Sequence, residues 1–233
     1  IEKAVRSNMQ SVFTDCPHRE KLGWLEQVHL NGPGLLYNYD LTAYAPQIMQ
    51  NMVDAQHSNG AMPTTAPEYV IFEGPGMDAF AESPEWGCTF VVLPFMYYET
   101  YGDDSLIRKY YNGMRRYIDY MTTRANDGIV SFGLGDWYDY GDFRAGFSRN
   151  TPVPLVATAH YYMVVRYLVE AARMLDNRYD VAYYTHLGEE INKAFHREFY
   201  HKDTRQYGTG SQCSNALPLF LGMVPADDRQ AVL

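Results

Sequence analysis

Two carboxylates, a guanidinium and an indole fall within the single segment Thr14-Asp-Cys-Pro-His-Arg-Glu-Lys-Leu-Gly-Trp24. A glutamate packed against an indole has its charged form disfavoured, and a second carboxylate nearby acts in the same direction. Glu20, five residues after Asp15 and four before Trp24, therefore suits a protonated general acid. Arg19 would oppose that shift if it paired with Glu20, so the reading expects it to pair with Asp15 or to reach a substrate hydroxyl. The same residues also read as a bland solvated helix start built on Glu20 and Lys21, and the local pattern leaves both readings open.

The second constellation is Gly133-Leu-Gly-Asp-Trp137. Its glycines let backbone and ligand approach closely, Asp136 can grip two hydroxyls, and the Trp137 ring can stack on the C–H face of a sugar. The alternative for Asp136 is a turn aspartate. All three tryptophans, Trp24, Trp86 and Trp137, lie between helix-like stretches and within a few residues of an acid, as a sugar-binding cleft requires. Between Glu68 and Trp86 the chain adds Glu68, Glu73, Asp78, Glu82 and Glu85, read mainly as solvated, and Gly74-Pro-Gly76, read as a turn. His160 reads as a hydrogen-bonded structural histidine.

The elements that must position these residues are helices. Apolar residues recur at three- and four-residue steps over 1–13, 38–57, 86–101, 105–124, 153–175 and 181–200, with a last pair beginning near Ser214 and Asp227. Residues 129–149 are glycine- and aromatic-rich and irregular. Almost no segment alternates with period two, so the fold class is all-α. Short joints at 101–104 and 175–180 alternate with long insertions at 14–37, 58–85 and 129–152. That rhythm fits helical hairpins set in a ring, with the long loops forming a cleft on one rim. The whole of 1–233 reads as part of one such domain, truncated at both ends.

Composition narrows the partners. A formal charge of −9 without an offsetting basic patch argues against nucleic acid, since Arg108-Lys109 and Arg115-Arg116 are spaced as a solvated helix face. No apolar run approaches the roughly 20 residues that span a bilayer, and Ile1-Glu-Lys-Ala-Val-Arg lacks the pattern of a signal peptide. Cys16, Cys88 and Cys213 have no CxxC spacing, and the seven histidines form no HxxxH or HxH, so neither a disulfide framework nor a metal site is expected.

The first segment resembles the DCPxRE-x-x-GW signature of bacterial α-L-rhamnosidases, glycoside hydrolase family 78. Trp86-Gly87, Val92-Leu-Pro94, Tyr101-Gly-Asp103, Gly135-Asp-Trp137, Pro154 to Thr158 and Leu217 to Pro225 resemble later segments of that family in the same order. The resemblance implies an incomplete (α/α)6 barrel that releases terminal α-L-rhamnose with inversion. It implies Glu20 as general acid, Asp15, Arg19 and Asp136 as sugar-binding groups, and Trp24, Trp86 and Trp137 as pocket walls. It further implies a rhamnose-containing oligosaccharide, polysaccharide or glycoside as partner, no metal or organic cofactor, and a soluble periplasmic or cytoplasmic bacterial location. Two positions depart from the pattern: Gln27, preceded by Glu26, stands where many members carry aspartate, and Cys88 follows Trp-Gly where aspartate is common. The family's base, a glutamate on a later barrel loop, is expected beyond Leu233. The chain alone is then inactive and self-associating through uncovered helix faces. The other readings are a different (α/α)6-barrel glycosidase and a non-catalytic carbohydrate-binding fragment.

Overall fold

The computed structural model describes residues 2–233 and is helical, with two small hairpins. The chain clusters into two compact units. One runs through Glu82 and resumes over Trp86–Tyr120; the other comprises Ser83–Glu85 and Met121–Leu233.

In the first unit, α1 (Glu2–Asn8) is followed by α2 (Glu26–Asn38), α3 (Tyr44–Ala55), α4 (Asp78–Ala81), α5 (Pro84–Gly87, its last two residues in this unit), α6 (Thr89–Tyr101) and α7 (Ser105–Arg124, whose first sixteen residues belong here). Ala45, Ile48, Met49 and Met52 bury one face of α3, as their spacing predicts. Helix α6 is apolar all round, and Thr89 to Phe95 and Tyr97 are all buried because α2 and α3 both pack on it. It ends at Gly102, whose φ of 69° is left-handed and whose N–H caps the carbonyl of Tyr98. On α7, Leu106, Ile107, Tyr110, Met114, Tyr117 and Ile118 are buried, while Arg108, Lys109 and Arg116 are exposed; Arg115 departs from the expected solvated face, being half-buried with its Nε inaccessible.

In the second unit, α8 (Val153–Met174) and α9 (Arg178–Phe199) pack along each other as a hairpin. The Asn177 side chain starts α9 by accepting the N–H of Asp180 at 3.1 Å. Leu155, Val156, Ala159, Phe195, Phe199 and Tyr207 build a core that α10 (Gln212–Phe220) and α11 (Arg229–Val232) border. Two antiparallel hairpins, β1 (Asp139–Gly141) with β2 (Phe143–Gly146) and β3 (Tyr200–His201) with β4 (Gln206–Tyr207), complete it.

The all-α expectation holds, and α7 spans the residues its pattern predicts. Four expectations need correction. The helix expected over 38–57 covers only Tyr44–Ala55, its start set back where Asp40 takes the Thr42 N–H in a turn. The stretch 14–37 contains α2, whose apolar stripe is interrupted by Asn31-Gly-Pro-Gly34 and so lacks clear periodicity. The first helix ends at Asn8 rather than at residue 13, because the chain folds back through the Met9 to Phe13 bridge. Residues 139–146 form a hairpin too short to show alternation. Among the described residues no helix is long and apolar enough to cross a membrane.

Candidate active site

The Asp15 to Trp24 segment is a tight loop closed on itself. The Asp15 N–H donates to the Leu22 carbonyl at 3.2 Å, the Lys21 N–H to the Cys16 carbonyl at 3.2 Å, and Lys21 takes a left-handed φ of 58°. The loop's exit is bound to residues 64–66: Leu25 N–H donates to the Thr64 carbonyl at 2.9 Å and Ala66 N–H to the Gly23 carbonyl at 3.0 Å. A Cβ on Gly23 would lie 2.5 Å from the Ala66 oxygen, so only glycine permits this approach.

This folding brings Asp15 and Glu20 together. One carboxylate oxygen of each and the Cys16 sulfur all lie within 4.8 Å of one another. Arg19 corrects one expectation: its Nη2 pairs with Glu20 Oε1 at 3.1 Å, not with Asp15. The pairing follows from adjacency on an exposed loop, where the guanidinium folds onto its neighbour. Trp24 corrects another, because it meets Glu20 with its N–H edge, Nε1 donating to Oε2 at 2.8 Å, rather than with its apolar face. With both Glu20 oxygens engaged by cationic or N–H donors, the cluster reads as a hydrogen-bonded loop rather than a cation site.

The Trp24 ring instead stacks on Phe72 at 5.3 Å and meets Phe80 and Trp86 edge-on, each at 6.4 Å. Trp86 corrects the pocket-wall expectation: it is 4% exposed because it packs behind Trp24, and its Nε1 has no acceptor among the described residues. Phe72 and Phe80 were not singled out from sequence; two aromatics in a loop otherwise rich in glycine and proline were the available signal. The loop is anchored where His57 Nε2 meets Glu68 at 2.9 Å and Tyr120 donates to Glu82.

At the start of α2, burial and then the charge of Asp15 push the Glu26 carboxyl up to about 7. Gln27 donates to Glu26 at 3.0 Å and accepts from Asn31 at 3.2 Å. Asp15, Gln27 and Asn31 share a cavity of about 940 Å³ with Phe13 and Tyr39, and the buried Asp15 Oδ1 there has no hydrogen-bond partner among the described residues. Cys88, the other departure, is fully buried 3.9 Å from His29.

The remaining candidates lie in the second unit. Asp136 accepts from the Thr151 hydroxyl at 3.2 Å, and Thr151 in turn meets Ser211 at 2.7 Å. Burial and then the Asp136 carboxylate push the neighbouring Cys213 thiol up to about 12, leaving it a thiol that hydrogen-bonds the acid. Glu85, fully buried, takes the Ser83 hydroxyl; desolvation pushes its carboxyl up to about 7. A Cβ on Gly133, where φ is 120°, would sit 2.8 Å from Glu85, which explains that glycine better than ligand approach does. Trp137 meets Tyr138 and Phe147 edge-on at 5.1 and 5.6 Å. Asp139 was not anticipated. Its burial raises the carboxyl, but N–H donors from Arg149, Asn150 and Tyr140 outweigh that and hold it below the usual range. His160 bonds the Val156 carbonyl one turn back at 2.8 Å, the structural role expected of it.

Residues 1–233 match the bacterial alpha-L-rhamnosidase 6 hairpin glycosidase domain from end to end. The chain belongs to that family. The family's fold agrees with the structure: an alpha-L-rhamnosidase from Dictyoglumus thermophilum superposes with a TM-score of 0.87 at 28% identity, over 98% of this chain and 25% of that one. The Streptomyces avermitilis alpha-L-rhamnosidase, solved in complex with L-rhamnose, gives a TM-score of 0.84 at 26% identity over 98% and 21%. An alpha-L-rhamnosidase of Formosa agariphila is 29% identical over 97% of this chain and 25% of its own length. The chain thus spans about a quarter of the length of these rhamnosidase-family relatives.

Proposed function

We propose that the protein carrying this chain is an inverting glycoside hydrolase that releases terminal α-L-rhamnose from rhamnose-containing glycosides or saccharides. The juxtaposition of Glu20 with Asp15, Arg19 and Trp24 in one short loop carries the reading. Glu20 is the general acid, protonating the departing glycosidic oxygen; a bound sugar hydroxyl draws Arg19 away from Glu20 Oε1 and so lets the carboxyl hold the proton it must deliver. Asp15, with an oxygen that has no donor among the described residues, and Arg19 take sugar hydroxyls. Trp24 supplies an aromatic wall that the buried Trp86 backs, and Asp136 with Trp137 forms the second sugar-binding element. In this mechanism the protein needs no metal or organic cofactor.

Asp15 is not the base in this reading. Inverting enzymes separate their two carboxyl groups by about 6.5–9.5 Å to admit water, whereas Asp15 and Glu20 approach within 4.8 Å. The water-activating carboxylate is proposed to lie outside the 233 residues, so that the chain alone is inactive.

The short Asp15–Glu20 approach gives one specific alternative, a retaining pair, for which about 5–5.5 Å is usual. Two carboxylates on one loop flank opposite faces of a sugar ring poorly, which favours inversion. Proton NMR of the first-formed sugar from an aryl α-L-rhamnoside decides. β-L-rhamnose appearing first is expected; α-L-rhamnose first would overturn inversion, and no rhamnose from the full-length protein would overturn the activity. The chain of 233 residues should give none by itself.

A further inference from the structure

We propose that the β1–β2 arm carries a subsite for an anionic saccharide unit, bearing a carboxylate or sulfate, next to the sugar held by Asp136 and Trp137. The inference rests on the rhamnoside reading above and names the substrate class more closely. The arm and its flanks enclose a cavity of about 410 Å³ whose walls include Trp137, Tyr138 and Phe147 and whose polar groups are Arg144 and Arg149. Aromatic walls beside a few charged donors are the surface that binds a charged sugar ring: apolar C–H faces lie on the rings and the anion meets guanidinium groups.

Three observations make the arginines more than solvated charge. Acids outnumber bases in the chain, 28 to 19, so an unpaired arginine has many carboxylates to choose from. Yet neither Arg144 nor Arg149 forms an ion pair among the described residues, although Arg6, Arg19, Arg108, Arg173, Arg197 and Arg205 each do. The buried acid of the arm is not available to them either. Asp139 is engaged by the backbone N–H groups of Arg149 and Asn150, each at 2.6 Å, and by the Asn150 amide at 2.6 Å. The Arg149 guanidinium lies over the Phe143 ring, 5.0 Å from its centre, which fixes its direction without neutralising it. The walls are also unusually bare: Tyr138 is 60% and Phe147 43% exposed. Guanidinium pairs suit planar carboxylates and sulfates because each presents forked N–H donors.

The test uses the full-length protein and a matched pair of α-L-rhamnosyl disaccharides, one ending in a hexuronic acid and one in its methyl ester. The acid should be cleaved with a kcat/KM about 10-fold or more above the ester, mostly through KM, since a charge-assisted hydrogen bond contributes on the order of a tenfold factor or more. That preference should shrink as salt rises from about 0.05 to about 0.5 M. In Arg144→Gln and in Arg149→Gln the acid-to-ester ratio should fall about 10-fold. Equal rates on acid and ester in the wild type, or an unchanged ratio in both variants, would overturn the subsite. Inhibition of neutral aryl rhamnoside cleavage by free glucuronate, or instead by a sulfated monosaccharide, identifies the anion; inhibition by neither, equally to glucose, counts against it. If the protein cleaves no rhamnoside, the parent reading fails separately. Calorimetric titration with glucuronate then decides the subsite: binding that weakens in Arg144→Gln supports it, and absence of binding overturns it.

Discussion

Trp24 and Glu20 are joined edge to oxygen: the indole Nε1 lies 2.8 Å from Oε2, four residues apart on a loop that Gly23 allows to turn back on itself. The same indole stacks on Phe72, so one side chain ties the acid to the aromatic cluster. The direction of the proposed acid is therefore set by packing around Trp24 as well as by the loop.

Replacing Glu20 by Gln in the full-length protein should cut cleavage of rhamnosides with poor leaving groups by about 10²–10⁴-fold. Activated aryl rhamnosides should lose much less, because a good leaving group needs little proton assistance. Steady-state kinetics on an alkyl and a nitrophenyl rhamnoside compare the two; equal, modest losses on both would remove Glu20 from the role.

Trp24→Phe keeps a ring against Phe72 and Phe80 but deletes the N–H donor. The N–H stabilises the carboxylate that Glu20 becomes as it gives up its proton, so kcat on poor leaving groups should fall about 10-fold, while the melting temperature changes little because the bond lies on an exposed loop. Trp86→Phe provides the contrast. Trp86 is buried behind Trp24 and its Nε1 has no acceptor among the described residues, so the smaller ring should leave kcat and KM nearly unchanged and show instead as a loss of packing stability. A change in melting temperature with unaltered kinetics in Trp24→Phe as well would mean that both tryptophans serve packing alone.

The helices were legible because their signal is periodic and local. α7 and the α8–α9 hairpin follow directly from apolar residues at helical spacing. α2 was not legible, since Gly32, Pro33 and Gly34 break its apolar spacing and 14–37 reads as a long insertion, whereas burial of Val28, Gly32 and Leu35 supports the helix. Within the site, residue types pointed to Glu20 and Trp24, but contact geometry was beyond reach. Nothing in a string of letters distinguishes the face of an indole from its N–H edge, or an Arg19 turned to Glu20 from one turned to Asp15. Phe72 and Phe80 enter the cluster through long-range folding of the loop onto Gly23 and Leu25, a relationship without local signature.

Gly60→Ala should be among the most damaging single-atom additions in the first unit. Its φ is 95°, and the added carbon would lie 2.3 Å from the Arg116 carbonyl oxygen. Left-handed strain in a non-glycine residue costs about 1–3 kcal/mol before any clash. Denaturant unfolding should show at least that loss, whereas Gly74→Ala, with a similar φ of 101° but open space around it, should lose less. Equal losses would mean that backbone strain alone governs both turns.

Glu26 and Glu85 should make stability fall as pH rises through the weakly acidic range. Both carboxyls are pushed from an ordinary value of 4.5 up to about 7, chiefly by burial, with the charge of Asp15 adding to the effect at Glu26. Between these values the folded chain holds a proton that the unfolded chain releases, so raising the pH favours unfolding; below about 4.5 and above about 7 these two groups contribute no slope. Glu85 is the stronger case, being fully buried against Ser83, while Glu26 is partly open to solvent. Glu85→Gln keeps the shape and cannot ionise, so it should flatten the decline of melting temperature between pH 4.5 and 7, with Glu26→Gln flattening it less. Thermal unfolding at half-unit pH steps across that window measures both slopes. Curves for the two variants that run parallel to the wild type would show that neither carboxyl holds its proton in the fold.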